Sequence, residues 1–148
     1  MTQEELEKLV NGLVQLPDET EWVEFKHNNA NPMEIGTAIS ALSNGATLHE
    51  KERAYIVFGV ADTTHNIIGT TFEPSRAKKG NEELESWLSH KIEPRIDFRI
   101  WETQHSSKPV VIFEIFAAID RPVKFDDKAY IRVGSYTKQL KDYPEKER

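Results

Sequence analysis

The sequence predicts an α+β fold: one domain in which about three helices pack on a mixed, mostly antiparallel sheet. Three observations predict it. Three separated segments space their apolar residues three and four apart, as one buried helix face requires. Other segments alternate apolar with polar residues, or stay apolar over the length of a buried strand. At 148 residues the chain has the length of a single domain with room for a real core.

The elements follow in order. Leu6, Leu9, Val10, Leu13 and Val14 mark an amphipathic helix over 3–14, ended by Leu16-Pro17-Asp18. From Glu21 to His27 the pattern alternates, with Val23 and Phe25 on one face and Trp22, Glu24 and Lys26 on the other. Asn31-Pro32-Met33-Glu34 starts a helix: Asn31 caps it, Pro32 suits its first position and Glu34 completes a capping box. Ile35, Ala38, Ile39 and Leu42 form its buried stripe, and Asn44-Gly45 is expected to close it. After a polar connection over 47–53, a strand is expected over 54–60, a turn over 62–66 and a hairpin partner over 67–71. A loop over 72–80 leads to a helix over 81–92 carrying Leu84, Trp87, Leu88 and Ile92, which Pro94 ends. Ile96, Phe98 and Ile100 belong to a half-buried strand, 110–117 to a buried one and 129–133 to a last one. The division expected is an N-terminal helix over 1–18, a domain over 19–141, and a solvated tail or linker over 142–148.

Composition narrows the function classes. The longest apolar run, 110–119, is broken by Glu114 and is far short of the roughly 20 residues that span a bilayer. The acidic start MTQEELEKL is not a secretory signal, so the cytoplasm is the expected compartment and no membrane partner is expected. With no cysteine there is no disulfide framework and no thiolate metal site. A net charge of −6 argues against an evenly basic nucleic-acid binder. The charge is polarised, however. Residues 1–24 hold seven acids and one base, whereas 121–148 hold eight bases and five acids, so a basic patch can coexist with a negative total.

Several familiar sites are missing from the sequence. It has no G-x-x-x-x-G-K-[ST] phosphate loop and no G-x-G-x-x-G fingerprint, so ATP hydrolysis of the P-loop type has no residues to carry it. The five histidines lack H-E-x-x-H and zinc-finger spacing, and Ser40, Ser43 and Ser135 lack a nucleophile elbow.

Three candidates remain. Glu24 and Lys26 share a strand face, Glu19 precedes that strand, and Asp62 sits where the next strand turns. Carboxylates converging at one end of a sheet can hold Mg²⁺ or Mn²⁺, which polarises a phosphoryl oxygen and activates water, while Lys26 pairs with phosphate. The same spacing also fits a plain Glu24–Lys26 ion pair and a plain turn at Asp62. The second candidate is Tyr130 to Thr137, YIRVGSYT. Tyr130 and Arg132 share a face that can stack on a base and neutralise a phosphate, with Ser135 and Lys138 close by. An ordinary edge strand with a glycine turn reads the same way. The third is the loop 75–81, where Arg76, Lys78 and Lys79 can grip a backbone or simply be solvated. Trp22, Trp87 and Trp101 read as packing residues.

Read together, ETEWVEFK over 19–26, EIGTAISALSN over 34–44, YIVFGVAD over 55–62, Ile68-Gly69 and the segment 122–137 with YIRVGSYT resemble the Schlafen-type Alba-like domain, once called divergent AAA. The resemblance spans residues 19–140, nearly the whole chain. It implies a Schlafen/Alba-like fold that binds DNA or RNA, at the N-terminus of transcriptional regulators or helicase-related proteins with further C-terminal domains. It therefore favours a nucleic-acid-binding module using Lys26, Arg76, Lys78, Lys79, Tyr130, Arg132, Ser135 and Lys138. An alternative follows from the ribonuclease members, whose two glutamates and one aspartate map onto Glu19, Glu24 and Asp62 as an Mg²⁺/Mn²⁺ site for an endoribonuclease. Those enzymes use two lobes, which a homodimer would supply here, and this chain departs from their pattern at Asn44-Gly45-Ala46 and the charged insert after it. A second alternative, ATP binding, rests on the older family label.

Overall fold

A computed structural model describes residues 1–18 and 20–147. Three helices form, α1 (Gln3–Leu13), α2 (Pro32–Leu48) and α3 (Leu84–Lys91). The strands are β1 (Val23–Lys26), β2 (Arg53–Phe58), β3 (Lys78–Lys79), β4 (Glu82–Glu83), β5 (Ile92–Glu93), β6 (Phe98–His105), β7 (Lys108–Phe116), β8 (Lys124–Phe125), β9 (Lys128–Val133) and β10 (Tyr136–Gln139). The predicted α+β class is the class observed. One four-stranded sheet has the order β1-β2-β7-β6, a second the order β10-β9-β8-β5, and β3 and β4 form a small ribbon. Among the described residues only β1 and β2 run parallel; a parallel pair needs a crossover, and α2 supplies it. The described residues contain no helix long and apolar enough to cross a membrane.

Strand alternation sorts the first sheet into two faces. Ile56, Phe58, Val111, Phe113 and Ile115 point towards α2 and α3, into a core that also takes Val123 and Phe125 from the second sheet. Val23, Phe25, Val57, Val110 and Ile112 point the other way and are covered by Leu6, Val10 and Leu13 of α1. The layers therefore run α1, first sheet, α2, second sheet. Lying between two sheets, α2 is buried from Ile35 to Ala46 except at Thr37.

Buried polar residues on α2 replace a rung of the second sheet. The register Lys124↔Ala129 makes Val123 and Tyr130 the next pair. They do not bond to each other. The Ser40 hydroxyl donates to the Val123 carbonyl (2.7 Å) and accepts from the Tyr130 N–H (3.0 Å). The Asn44 amide donates to the Val123 carbonyl (3.0 Å) and the Tyr130 carbonyl (2.8 Å), and its oxygen accepts from the Val123 N–H (2.8 Å). Every polar group at that join has a partner, as burial demands. This is the physical content of the SALSN segment.

Four expectations are corrected. The helix predicted to close at Asn44-Gly45 continues to Leu48, because Gly45 is not a cap. A Cβ there would stand 2.3 Å from the Glu21 carbonyl oxygen, so glycine permits a close backbone approach. Asn31 caps α2 as expected, through Met33 and Glu34 N–H groups at 2.9 and 3.2 Å, but the Glu34 carboxylate accepts from the Asn29 amide (2.9 Å) instead of closing a capping box. The expected strand over 67–71 is a single bridge, Val60↔Ile67. Beyond it the Gly59 carbonyl takes both the Ile68 and Gly69 N–H groups, and Thr70 bonds to Pro109, so the chain wraps the end of the sheet instead of extending it. The third helix begins at Leu84, not Asn81, because Lys78–Lys79 and Glu82–Glu83 pair first as a ribbon.

Candidate nucleic-acid interface

The alternation of β1 places Glu24 and Lys26 on the α2 side of the first sheet, at its edge. Tyr130 and Arg132 do share a face of β9, and that face turns inward. Tyr130 packs against the main core, and Arg132 is 4% exposed. The Arg132 guanidinium donates through Nη1 to Oε1 of Glu24, and the Lys26 ammonium lies 3.2 Å from Oε2 of the same carboxylate. Among the described residues Arg132 Nε, which is buried, has no hydrogen-bond partner. The pair links the edge of the first sheet to the second. Beside it, Glu24, Lys26, Glu34, Thr37 and Thr137 line a cleft of about 210 Å³. Its lining sets Lys26 against Glu24 and Glu34, with the buried Arg132 on Glu24 from the second sheet.

A second carboxylate, Glu21, does similar work one turn away. It accepts from the Gly134 N–H (2.7 Å) at the tip of the β9–β10 hairpin and pairs with His49 Nε2 (2.9 Å) after α2. Burial pushes its carboxyl up. The bonds from His49 and Gly134, with Lys146 and His49 charge nearby, outweigh this and hold it below the usual glutamate value.

The hairpin carries a different set outward. In the register Tyr136↔Val133 and Lys138↔Ile131, Tyr136 and Lys138 lie on the side opposite Thr137 and the cleft. Tyr136 is 69% exposed, and the Lys138 ammonium stands 5.7 Å from its ring centroid. Ser135 is exposed in the turn. No acid occurs from Lys128 to Lys141. Among the described residues neither Lys138 nor Lys141 forms an ion pair. Sequence reasoning singled out Tyr130, which packs on the core, and did not single out Tyr136, which is open to solvent. Carrying the alternation across the Gly134-Ser135 turn puts the two tyrosines on opposite faces, and that was the available signal.

The remaining candidates lie elsewhere. Arg76 faces Glu73 at 3.7 Å, Lys78 stands opposite Glu83, and Lys79 stands opposite Glu82 and 5.9 Å over the Trp87 ring. Each cation of that loop has a glutamate neighbour. Asp62 is exposed in the turn after β2. Its loop is anchored by His65, whose ring packs on Phe25 (4.4 Å) and bonds to the Val14 carbonyl (3.0 Å) and Asp18 (2.8 Å). Phe25 points away from Glu24, so the loop is fastened on the opposite face of β1. Glu19 lies outside the described residues.

Of the candidate carboxylates among the described residues, Glu24 is already engaged by cations. The Glu24 carboxylate already carries Arg132 and Lys26, so a cation bound there would sit beside two positive charges. Among the described residues no three His, Cys, Asp or Glu side chains are grouped to hold a metal ion.

Comparison with known proteins gives the following. The model of the family described as Schlafen, AlbA_2 matches residues 19–141. No curated protein matches the chain. Among solved structures, the DIP2311 protein from Corynebacterium diphtheriae is similar with a TM-score of 0.59 at 18% identity, over 93% of this chain and 26% of that one. The chain thus spans about a quarter of that protein. The N-terminal domain of a protein from Nitrosomonas europaea, described as related to the ATP-dependent DNA helicase RecG, is similar with a TM-score of 0.56 at 18% identity, over 88% of this chain and 89% of that one. At such identities both show a shared fold.

Proposed function

Because the chain belongs to the Schlafen AlbA_2 family, we propose that it is a nucleic-acid-binding domain that holds the phosphate backbone with the β9–β10 hairpin. The observation that carries this is the charge of the hairpin and the turn after it: an acid-free stretch from Lys128 to Lys141 whose Lys138, on β10, and Lys141, just beyond it, are exposed. Free cations release counterions when they meet phosphates, whereas cations already paired to carboxylates gain little. Lys26 and Arg132 belong to the paired group. Arg132 fastens the hairpin to the first sheet through Glu24, Lys26 pairs with the same carboxylate from its own strand, and Glu21 fastens the hairpin's tip. A rigid, locally basic hairpin on an acidic protein suits a polyanion approached from one side.

The test is fluorescence anisotropy with labelled DNA and RNA of mixed sequence, from low to physiological salt. The expected result is binding that weakens as salt rises, and at least a tenfold loss in the double substitution Lys138→Glu, Lys141→Glu. Wild-type affinity in that variant, or no binding of any nucleic acid at low salt, overturns the proposal.

A further inference from the structure

We infer that the hairpin selects unpaired nucleic acid, with Tyr136 as a stacking platform for a base. This rests on the nucleic-acid-binding reading and adds the class of ligand to it. Tyr136 is the most exposed aromatic side chain of the chain's basic region, 69% open on β10. It occupies an edge strand of the second sheet, so its ring is approachable from the strand's unpaired side as well as from above. Nothing in the fold uses its apolar surface: it belongs to neither core, and the ring contact recorded for it is the Lys138 ammonium at 5.7 Å.

The chemistry of this pair points to one partner. An exposed tyrosine ring offers a π-face to any base, and base–aromatic stacking strengthens binding about tenfold or more per base. In a duplex the base faces are already stacked on each other, so the ring has nothing to receive. In an unpaired strand the faces are free. Lys138, two residues on and on the same side of β10, reaches the phosphate that accompanies the stacked base, while Ser135 in the adjoining turn offers a hydroxyl. Charge complementarity favours an anionic partner here: the stretch 128–141 holds three exposed bases, Lys128, Lys138 and Lys141, and no acid. Because stacking tolerates every base, the ligand is an unpaired strand of relaxed sequence.

The experiment measures anisotropy of a labelled single-stranded oligonucleotide and of its blunt duplex, with wild-type chain, Tyr136→Ala, Tyr136→Phe and Lys138→Gln. The single strand should bind at least tenfold more tightly than the duplex. Tyr136→Ala should lose that preference, weakening the single strand about tenfold and leaving the duplex unchanged. Tyr136→Phe should keep the preference, since the ring remains. Lys138→Gln should weaken both ligands and flatten their salt dependence. Equal affinity for the two ligands, or a Tyr136→Ala variant with the wild-type preference, overturns the stacking role while leaving phosphate binding intact. Absence of binding to either ligand overturns the underlying reading instead. Circular dichroism of each variant confirms folding; Tyr136 is solvent-exposed, so its substitutions leave the core untouched.

Discussion

Arg132 shows how burial changes what a residue type means. On the surface an arginine beside a tyrosine is a phosphate contact. At 4% exposure, with Glu24 on its guanidinium, it is a tie between two sheets. Removing one partner of a buried pair costs far more than the pair is worth against an apolar replacement. Arg132→Met is therefore expected to lower unfolding stability by about 2–4 kcal/mol, and adding Glu24→Gln should return part of that loss in urea denaturation. A fully stable Arg132→Met that cannot bind nucleic acid would show instead that the guanidinium reaches the ligand. Glu21 gives the pH counterpart. Its carboxyl is held below its ordinary value in the folded chain, so the unfolded chain takes up the proton more readily, and the stabilisation is complete above the unfolded value. It is lost as pH falls through the lower, folded value. Glu5 and Glu82 are depressed too, by hydrogen bonds from Thr2 and from His90 and Ser86. Comparing melting temperatures of wild type and Glu21→Gln isolates the Glu21 share: the variant should be less stable at neutral pH, and the gap should close in acid. A gap that stays constant down to pH 3 would contradict the sign.

At the scale of elements, Gly12 and Gly45, two of the three helical glycines, predict opposite outcomes. Alanine at Gly12 of α1 meets nothing within 4 Å, and a helix gains from it, so Gly12→Ala should stabilise by about 0.5–1 kcal/mol. At Gly45 the same propensity gain is overwhelmed, because the new Cβ meets a backbone oxygen at 2.3 Å that has no rotamer to escape through. Gly45→Ala should destabilise by about 2 kcal/mol or more. Thermal melts of both decide it, and equal signs would mean that α2 can slide away from Glu21. This is also where the sequence was misleading. Asn44-Gly45 looks like a helix stop because local chemistry favours one; the reason for the glycine is a carbonyl 24 residues earlier, which no local pattern carries. The alternation of β1 was legible for the opposite reason, since period two is a local property and Val23 and Phe25 had one buried face to find. The YIRVGSYT hairpin lies between these cases. Its strand and turn were legible, and so was the shared face of Tyr130 and Arg132. That α2 and β1 would cover the Tyr130 and Arg132 face was not, because no local pattern carries those contacts.

For the whole molecule, the question is whether α1 is an accessory or part of the fold. The family match starts at residue 19, after α1, yet α1 supplies the buried side chains that cover one side of the first sheet, with His65 and Ile67 packed beside them. Leu6, Val10 and Leu13 are at most 7% exposed, and without them Val23, Phe25, Val57, Val110 and Ile112 would face water. Three buried aliphatic side chains contribute roughly 5 kcal/mol, before counting the sheet surface they shield. That is a large part of the 5–15 kcal/mol typical of a native domain. The coupling reaches the hairpin as well, because β1 carries both Phe25, under α1, and Glu24, which holds Arg132. Deleting residues 1–16 is therefore expected to lower the melting temperature by about 10–20 °C and to loosen the β9–β10 hairpin, seen as faster amide exchange at Ile131 and Val133. Nucleic-acid affinity should fall with it, though no residue of α1 lies at the hairpin. Wild-type melting and wild-type exchange in the shortened chain would make α1 an appendage, and the edge of β1 would have to be stable on its own.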